Sequence, residues 1–183
     1  MLGTIIVLLI IAALVVWAIL TFNRLVALRN RVDSAWAQID VQLKRRHDLI
    51  PNLVETVKGY AAHERETLEM VVRARNFAIA AQGPQAQAEA ENALSGTLKS
   101  LFAVTEQYPD LKANQNFLQL QEELTSTEDR IAYSRQFFNT SVQTLNTKIE
   151  TFPGVFFAGP AKATRREYFE VDSTDRSNVQ VQF

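Results

Sequence analysis

The sequence predicts an all-α fold, in which an N-terminal transmembrane helix continues into an up-and-down bundle of about four long helices. Two observations predict it. Every residue at positions 5–20 is apolar, and no charged residue occurs in positions 1–22. At positions 23–150, apolar residues recur every three or four positions, while the 183 residues contain only six glycines and five prolines that would interrupt helices.

Residues 1–22 are predicted to be a transmembrane anchor, because roughly 20 apolar residues cross a bilayer as a helix. A cleaved signal peptide is the main alternative, but no basic residue precedes the apolar run and no small-residue cleavage pattern follows it. Basic residues resist translocation. Arg24, Arg29 and Arg31 therefore predict a single-pass protein of the inner (plasma) membrane, with its N-terminus outside and its bundle in the cytoplasm.

Composition restricts the function classes. About 160 residues follow the anchor, which is enough for one compact domain. The 19 basic and 20 acidic residues give a net charge of −1, which argues against a nucleic-acid partner. The absence of cysteine excludes a lipoprotein signal, disulfides, thiolate metal sites and thiol catalysis.

Residues 23–153 are predicted to form the bundle, and its first helix is predicted to be continuous with the anchor. No glycine or proline occurs at positions 4–46, so nothing interrupts a helix there. Such a helix would be on the order of 60 Å long, with about half of it outside the bilayer. Its buried face is predicted by apolar residues at helical spacing, namely Leu25, Leu28, Val32, Trp36, Ile39 and Leu43.

The second helix is predicted to begin at Pro51, since proline disfavours helix at the residue before it and fits a first helical turn. Asp48 is its predicted cap. A kink or local break is expected near His63, where the apolar pattern weakens. Gly83 and Pro84 end this unit by the common glycine-then-proline stop.

A third helix is predicted over residues 85–107, and its weakly hydrophobic first half, residues 85–93, is expected to face solvent and to fray. After a turn at Pro109, the longest bundle helix is predicted to end at residues 152–154. One seam of that helix extends over about five heptads. Its apolar residues are Phe117, Leu120, Leu124, Ile131, Phe138, Val142, Leu145, Ile149 and Phe152.

Two segments follow the bundle. Residues 154–171 are apolar and aromatic without a helical period, and we expect a loop packed on the bundle, although contact with a membrane or a partner stays open. Residues 172–183 are polar and are predicted to be a disordered tail, in which a short binding motif is the alternative.

Motifs for catalysis and metal binding are missing. Neither histidine follows a glutamate by three residues, as di-iron helical bundles require, and no nucleophile motif occurs. His47 beside Asp48 is interpreted as a partly solvated helix junction rather than as an imidazole–carboxylate pair. We therefore predict no catalytic, cofactor-binding or metal-binding residues, no cofactor and no enzymatic activity.

Polar residues near the apolar stripes predict a buried network that specifies how the helices pair, with a ligand pocket as the alternative. They are Asp33, Asp40, Arg45, Asn52, Glu55, Asn116, Glu122, Thr125, Glu128, Arg130 and Arg135.

Several motifs resemble the LemA family. The most specific is Arg-Arg-His-Asp-Leu-Ile-Pro-Asn-Leu-Val at residues 45–54. The resemblance covers nearly the whole chain, including residues 23–32, 35–54, 60–64, 108–114, 120–128, 149–153 and 166–169. Residues 155–164 match the pattern least well.

The resemblance implies a bacterial single-pass membrane protein with a mostly helical up-and-down bundle, sometimes grouped with bromodomain-like four-helix folds. It implies no enzymatic activity or cofactor, and it supplies no catalytic residues. Relatives are associated with membrane organisation and, in magnetotactic bacteria, with magnetosome formation.

These observations predict a membrane-anchored protein that acts by protein–protein interaction or self-association, as a scaffold or adaptor in membrane organisation. The lipid bilayer is its expected partner through residues 1–22, a homo-oligomer is one expected form, and the protein partner is unknown. The alternative is a membrane-tethered sensor that binds a small ligand or ion in the polar network.

Overall fold

The computed structural model describes residues 1–170, of which 83% are helical and none lies in a strand. The predicted all-α fold with a long apolar N-terminal helix is therefore confirmed. The predicted tail at 172–183 lies outside the described residues. The described helices are α1 (Leu2–Tyr60), α2 (Arg65–Ala80), α3 (Pro84–Thr105), α4 (Pro109–Lys112), α5 (Gln115–Glu150) and α6 (Gly154–Phe157).

The chain divides into two compact units, which are described separately. The first unit comprises Met1–Val41 and Ile131–Glu167. Its core follows the heptad spacing that the sequence predicts, and the Trp36 and Phe138 rings lie 5.3 Å apart between centroids. The buried apolar side chains include Leu25, Val32, Ala35, Ile39, Ile131, Val142 and Leu145.

The N-terminal part of α1 is apolar, and the rest of the described chain leaves most of it uncovered. From Leu2 to Leu20 its large apolar side chains are exposed, and burial begins at Thr21 and Leu25. This segment is long and apolar enough to cross a membrane, and the helix has no break between Leu20 and Leu28. An exposed apolar surface of this length is costly in water, so α1 is a candidate membrane span.

The second unit comprises Gln42–Arg130 and, among the described residues, 168–170. In it α2 packs against α3. One apolar core joins side chains from several helices, because each helix presents a buried stripe at spacings of three, four or seven residues. Its members include Ile50, Leu53, Val57, Leu68, Val71, Ala78, Leu94, Leu98, Leu101, Leu111, Phe117 and Leu124.

The predicted start of a new helix at Pro51 is wrong. Pro51 lies inside α1, which continues to Tyr60, and Asp48 caps nothing. Instead, the Asp48 carboxylate accepts a hydrogen bond from Lys44 at 2.9 Å, one helical turn earlier. A proline inside a helix leaves the carbonyl four residues earlier without its donor, and here that carbonyl belongs to His47.

Other predicted boundaries agree with the structure to within a few residues. The expected break near His63 separates α1 from α2, at residues 61–64. Gly83 adopts φ +85°, which favours glycine, and Pro84 then opens α3. The backbone N–H of Phe117 donates to Asn114 Oδ1 at 3.0 Å, and this side-chain acceptor stabilises the first turn of α5.

Candidate functional site

A buried cluster of charged side chains lies in the second unit, and we call it the Arg46 network. Arg46 occupies a core position of α1, three residues after Leu43 and four before Ile50, and its side chain is fully buried. The Glu91 side chain of α3 is also fully buried. Charged groups leave water only when they are paired and hydrogen-bonded, so the partners of both residues decide whether this cluster is stable.

Arg46 has partners on two other helices. Its Nη2 donates to Glu91 Oε2 at 2.6 Å and to the Glu91 backbone carbonyl at 2.8 Å. Its Nη1 donates to Ser95 Oγ at 3.0 Å and to Glu128 Oε2 on α5. The Glu128 side chain is half-exposed, so the network reaches the surface there. A guanidinium group suits this position because its donors form a fixed planar fork.

The Glu91 carboxylate accepts hydrogen bonds from three side chains. Besides Arg46, the donors are His47 Nε2 at 2.8 Å and Gln87 Nε2 at 2.9 Å, both to Oε1. Burial by itself raises the pKa of Glu91, but the hydrogen bond from His47 and the charge of Arg46 outweigh it and hold the pKa below its ordinary value. Glu91 is therefore charged at neutral pH.

The His47 backbone explains how α1 tolerates Pro51. Arg75 of α2 donates from Nε to the His47 carbonyl oxygen at 2.7 Å. This carbonyl is the one that Pro51 leaves without an intrahelical donor. Since a buried carbonyl without a donor is costly, Arg75 compensates for the proline from a neighbouring helix.

Together these bonds join four helices of the second unit. Arg46 and His47 belong to α1, Glu91 to α3 and Glu128 to α5. Arg75 contributes α2, and Gln87 of α3 adds a hydrogen bond from Nε2 to the Ala78 carbonyl of α2 at 2.9 Å. Because directional bonds fix the relative positions of their partners, the network sets how these helices pair.

The structure places most of the polar residues predicted for a network elsewhere. Nine of the eleven are exposed, and Arg45 and Asp33 form surface ion pairs with Glu123 at 3.6 Å and with Arg166 at 2.9 Å. Glu128 alone joins the Arg46 network. Arg135, in the first unit, is partly buried. A buried network exists, but most of its members differ from the predicted ones.

Sequence reasoning missed the centre of the network. The expectation that residues 85–93 face solvent and fray is wrong, since Gln87, Ala88, Ala90 and Glu91 are buried in α3. His47 is buried too, rather than partly solvated. The spacing of four between Gln87 and Glu91 and the place of Arg46 within the stripe were the available signals.

A second feature of this unit is the exposed apolar surface of α2. The side chains of Met70, Val72, Phe77 and Ile79 are exposed on both sides of the buried stripe, at 58% for Phe77 and 52% for Ile79. We call these four residues the α2 apolar edges. Beside Val72 lies a groove of about 580 Å³ between α1 and α2. Its lining is apolar with a mainly basic rim: Val54, Lys58, Ala62, Arg65, Leu68, Glu69, Val72 and Arg73.

Comparison with known proteins gives the family. The family model of the LemA family matches residues 35–183, which is most of the chain. The chain belongs to the LemA family. It is 30% identical over 134 residues to the protein LemA of Metamycoplasma hominis, and the match covers 71% of this chain. The chain spans 60% of the length of that relative.

This LemA-family chain is also similar to magnetosome proteins. It is 23% identical over 186 residues to magnetosome protein MamQ 2 of Paramagnetospirillum magneticum, covering 87% of this chain and 68% of that protein. It is 25% identical over 183 residues to magnetosome protein MamQ of Magnetospirillum gryphiswaldense, covering 86% and 67%. These relatives and the candidate span indicate a membrane-associated member of the LemA family.

In the Arg46 network of this LemA-family chain, the side chains that could act as a nucleophile or a base are already engaged in hydrogen bonds. The Ser95 hydroxyl donates to Glu128 Oε1 at 3.3 Å and accepts from Arg46, so it is engaged on both sides. The His47 ring is bound to Glu91 and is nearly buried. Within residues 1–170, no group of three or more His, Asp or Glu side chains is arranged to hold a metal ion.

Replacing Arg75 by methionine is expected to lower the free energy of unfolding by about 1–3 kcal/mol, because the His47 carbonyl loses its donor. In a Pro51→Ala background the helix supplies an N–H to the same carbonyl, so the Arg75→Met change should cost less there. Chemical denaturation in detergent of the natural protein, the two single variants and the double variant gives the coupling free energy between Arg75 and Pro51. An equal cost in both backgrounds would show that Arg75 does not compensate for Pro51.

Acid is expected to destabilise the second unit through Glu91. Its pKa in the folded state lies below the ordinary 4.5, so its stabilising effect is complete above that pH and is lost as pH falls through the lower folded value. Melting temperatures of the Glu91→Gln variant should therefore fall less steeply with acid than those of the natural protein. The control is Glu89→Gln, which removes an exposed carboxylate from the same helix. An unchanged slope in Glu91→Gln would contradict this assignment.

Proposed function

We propose that this LemA-family protein is a non-catalytic, membrane-anchored scaffold that binds another protein, or another copy of itself, through the α2 apolar edges. The observation that supports this proposal is the exposure of four large apolar side chains on one helix, those of Met70, Val72, Phe77 and Ile79. Large apolar side chains that stay in water are unfavourable, and where several lie along the edges of one helix they commonly mark a binding surface. The charged groups of the Arg46 network, in contrast, are already paired within the chain.

The anchor in this proposal is the exposed apolar part of α1, residues 2–20. In this proposal the protein lies in the inner membrane. The arginines that follow the anchor, Arg24, Arg29 and Arg31, support an orientation with the N-terminus outside and the remainder of the chain in the cytoplasm. Protease added to spheroplasts tests the orientation. Protection of the chain until the membrane is permeabilised is expected, and digestion from outside would contradict it.

Sizing of the full chain in mild detergent tests the binding function. The natural protein is expected to elute as a homo-oligomer or with a stoichiometric partner. A Phe77→Glu/Ile79→Glu variant should elute as a monomer with unchanged helical content, because charged side chains on a binding surface oppose its burial. The matched control is Thr140→Glu, an exposed position on α5. A natural protein that is strictly monomeric and without a stoichiometric partner would contradict the proposal.

A second candidate function is a membrane-tethered sensor, and the Arg46 network supports it. A buried arginine with one half-exposed carboxylate partner, Glu128, is a place where an anion in solution competes for the same donors. Thermal-shift measurements on the full chain in detergent, with phosphate, sulfate, carboxylates and divalent metals, test this function. A stabilisation by an anion that Glu128→Gln changes would support it, and a flat response to all of them would exclude it.

A further inference from the structure

Residues 152–156 follow α5, form a turn that includes the first residues of α6, and expose large apolar side chains. Phe152 and Phe156 are each 71% exposed, and Val155 is also exposed. Residues Ala161 and Ala163, farther along the same segment, are buried. Three exposed apolar side chains in five residues are unusual for a turn in water, since turns there are mostly polar.

This turn lies beside the end of the candidate membrane span. The Phe152 ring is 5.8 Å from the Trp17 ring between centroids, and Phe156 is 6.0 Å from Phe152. Trp17 is three residues before Leu20, where the bare apolar part of α1 ends. At ~1.5 Å per residue, Trp17 lies only about one helical turn from that end. All these residues belong to the first unit.

The turn is held in a defined position. A Cβ atom at Gly154 would collide with the Lys148 backbone carbonyl, so the turn packs tightly onto the last residues of α5. The backbone N–H of Val155 donates to the Thr151 carbonyl at 3.1 Å, and that of Phe156 donates to the Pro153 carbonyl at 3.2 Å. The exposure of the aromatic rings is therefore a property of a fixed turn.

We propose that residues 152–156 form a second contact with the lipid bilayer, in the interfacial layer next to the α1 anchor. The inference rests on the proposed anchoring by α1. Aromatic rings concentrate at membrane interfaces, and Trp17 marks that depth on the anchor itself. The exposed surface of Phe152, Val155 and Phe156 is continuous with that of the anchor through the Trp17 contact. Insertion of the turn fixes the depth at which the first unit meets the bilayer.

The natural chain has no cysteine, so a single spin label reports on one position. We would label Phe156→Cys in the full chain, reconstituted in phosphatidylcholine–phosphatidylglycerol vesicles, and measure its collisions with oxygen, which partitions into lipid, and with a water-soluble nickel chelate. Tyr133→Cys is the matched control, since Tyr133 is 72% exposed on α5. Leu9→Cys reports on the anchor.

The label at position 156 is expected to have an oxygen-to-nickel collision ratio several-fold above that at position 133 and below that at position 9, because the interface lies between water and the bilayer centre. Two results at position 156 would overturn the second contact alone, provided that the label at position 9 has a collision ratio typical of lipid. One is a collision ratio typical of water, and the other is protection of the label from both oxygen and the nickel chelate. An aqueous ratio at position 9 would overturn the anchor and, with it, this inference.

Discussion

Replacing Arg46 by methionine is expected to lower the free energy of unfolding by about 3–5 kcal/mol. The side chain is fully buried, and its removal leaves the Glu91 carboxylate charged in the core without its cation. For a chain of this size, that loss corresponds to a fall in melting temperature of very roughly 6–20 °C. Thermal unfolding of the full chain in detergent, followed by circular dichroism, measures it.

Two variants show whether the lost pairing is the cause. Arg46→Met combined with Glu91→Met removes both buried charges and should be more stable than Arg46→Met alone. The control is Arg73→Met, which breaks an exposed ion pair with Glu69 of 3.0 Å and should change the free energy by less than about 1 kcal/mol. A double variant no more stable than the single one would mean that the charge pair is not what Arg46 contributes.

Replacing Phe117 by alanine is expected to cost about 3–5 kcal/mol. The ring is 2% exposed at the start of α5, and it packs edge-on against Phe102 of α3, with 6.3 Å between centroids. Denaturant unfolding of the full chain in detergent measures the loss. The neighbouring Leu118 provides a matched control, because its side chain is half-exposed and Leu118→Ala should have a much smaller effect. Similar losses in the two variants would contradict the assigned packing of α5.

The apolar stripes could be predicted because helix packing repeats along the chain. Leu25, Val32 and Ile39 are buried at the positions that the spacing indicates, and α1 is continuous through the end of the apolar run. The continuity of α1 through Pro51 could not be predicted from local rules. Proline disfavours a helix locally, but Arg75 of another helix donates a hydrogen bond to the carbonyl that Pro51 leaves without a donor. The residues around Pro51 give no sign of this contact, because Arg75 lies on a different helix.

The existence of a buried polar network could be predicted from the sequence, but most of its members could not. Polar residues near the stripes indicated some buried network, and Glu128 belongs to it. The segment around Glu91 is rich in alanine, glutamine and glutamate, and this composition predicts a solvent-facing position for a side chain that is in fact buried. Burial of a carboxylate depends on the donors that reach it, here Arg46, His47 and Gln87, and two of these come from a helix distant in sequence.

The paired buried charges and the exposed apolar side chains of this protein are different sets of residues. The buried charges of Arg46 and Glu91 are paired within the second unit, where they specify how its helices meet. The apolar side chains left exposed, among them those on α1, on α2 and at residues 152–156, are available to lipid and to other proteins. We propose that the α2 apolar edges are a binding surface while α1 holds the chain in the membrane.

Photocrosslinking in native membranes tests that claim most directly. A photoreactive amino acid at Phe77 of the full chain is expected to give an adduct of discrete mass, either with a second copy or with one partner protein. The same amino acid at Thr140, an exposed position on α5, should not give that adduct. Absence of a discrete adduct at position 77, or the same adducts at both positions, would contradict the account.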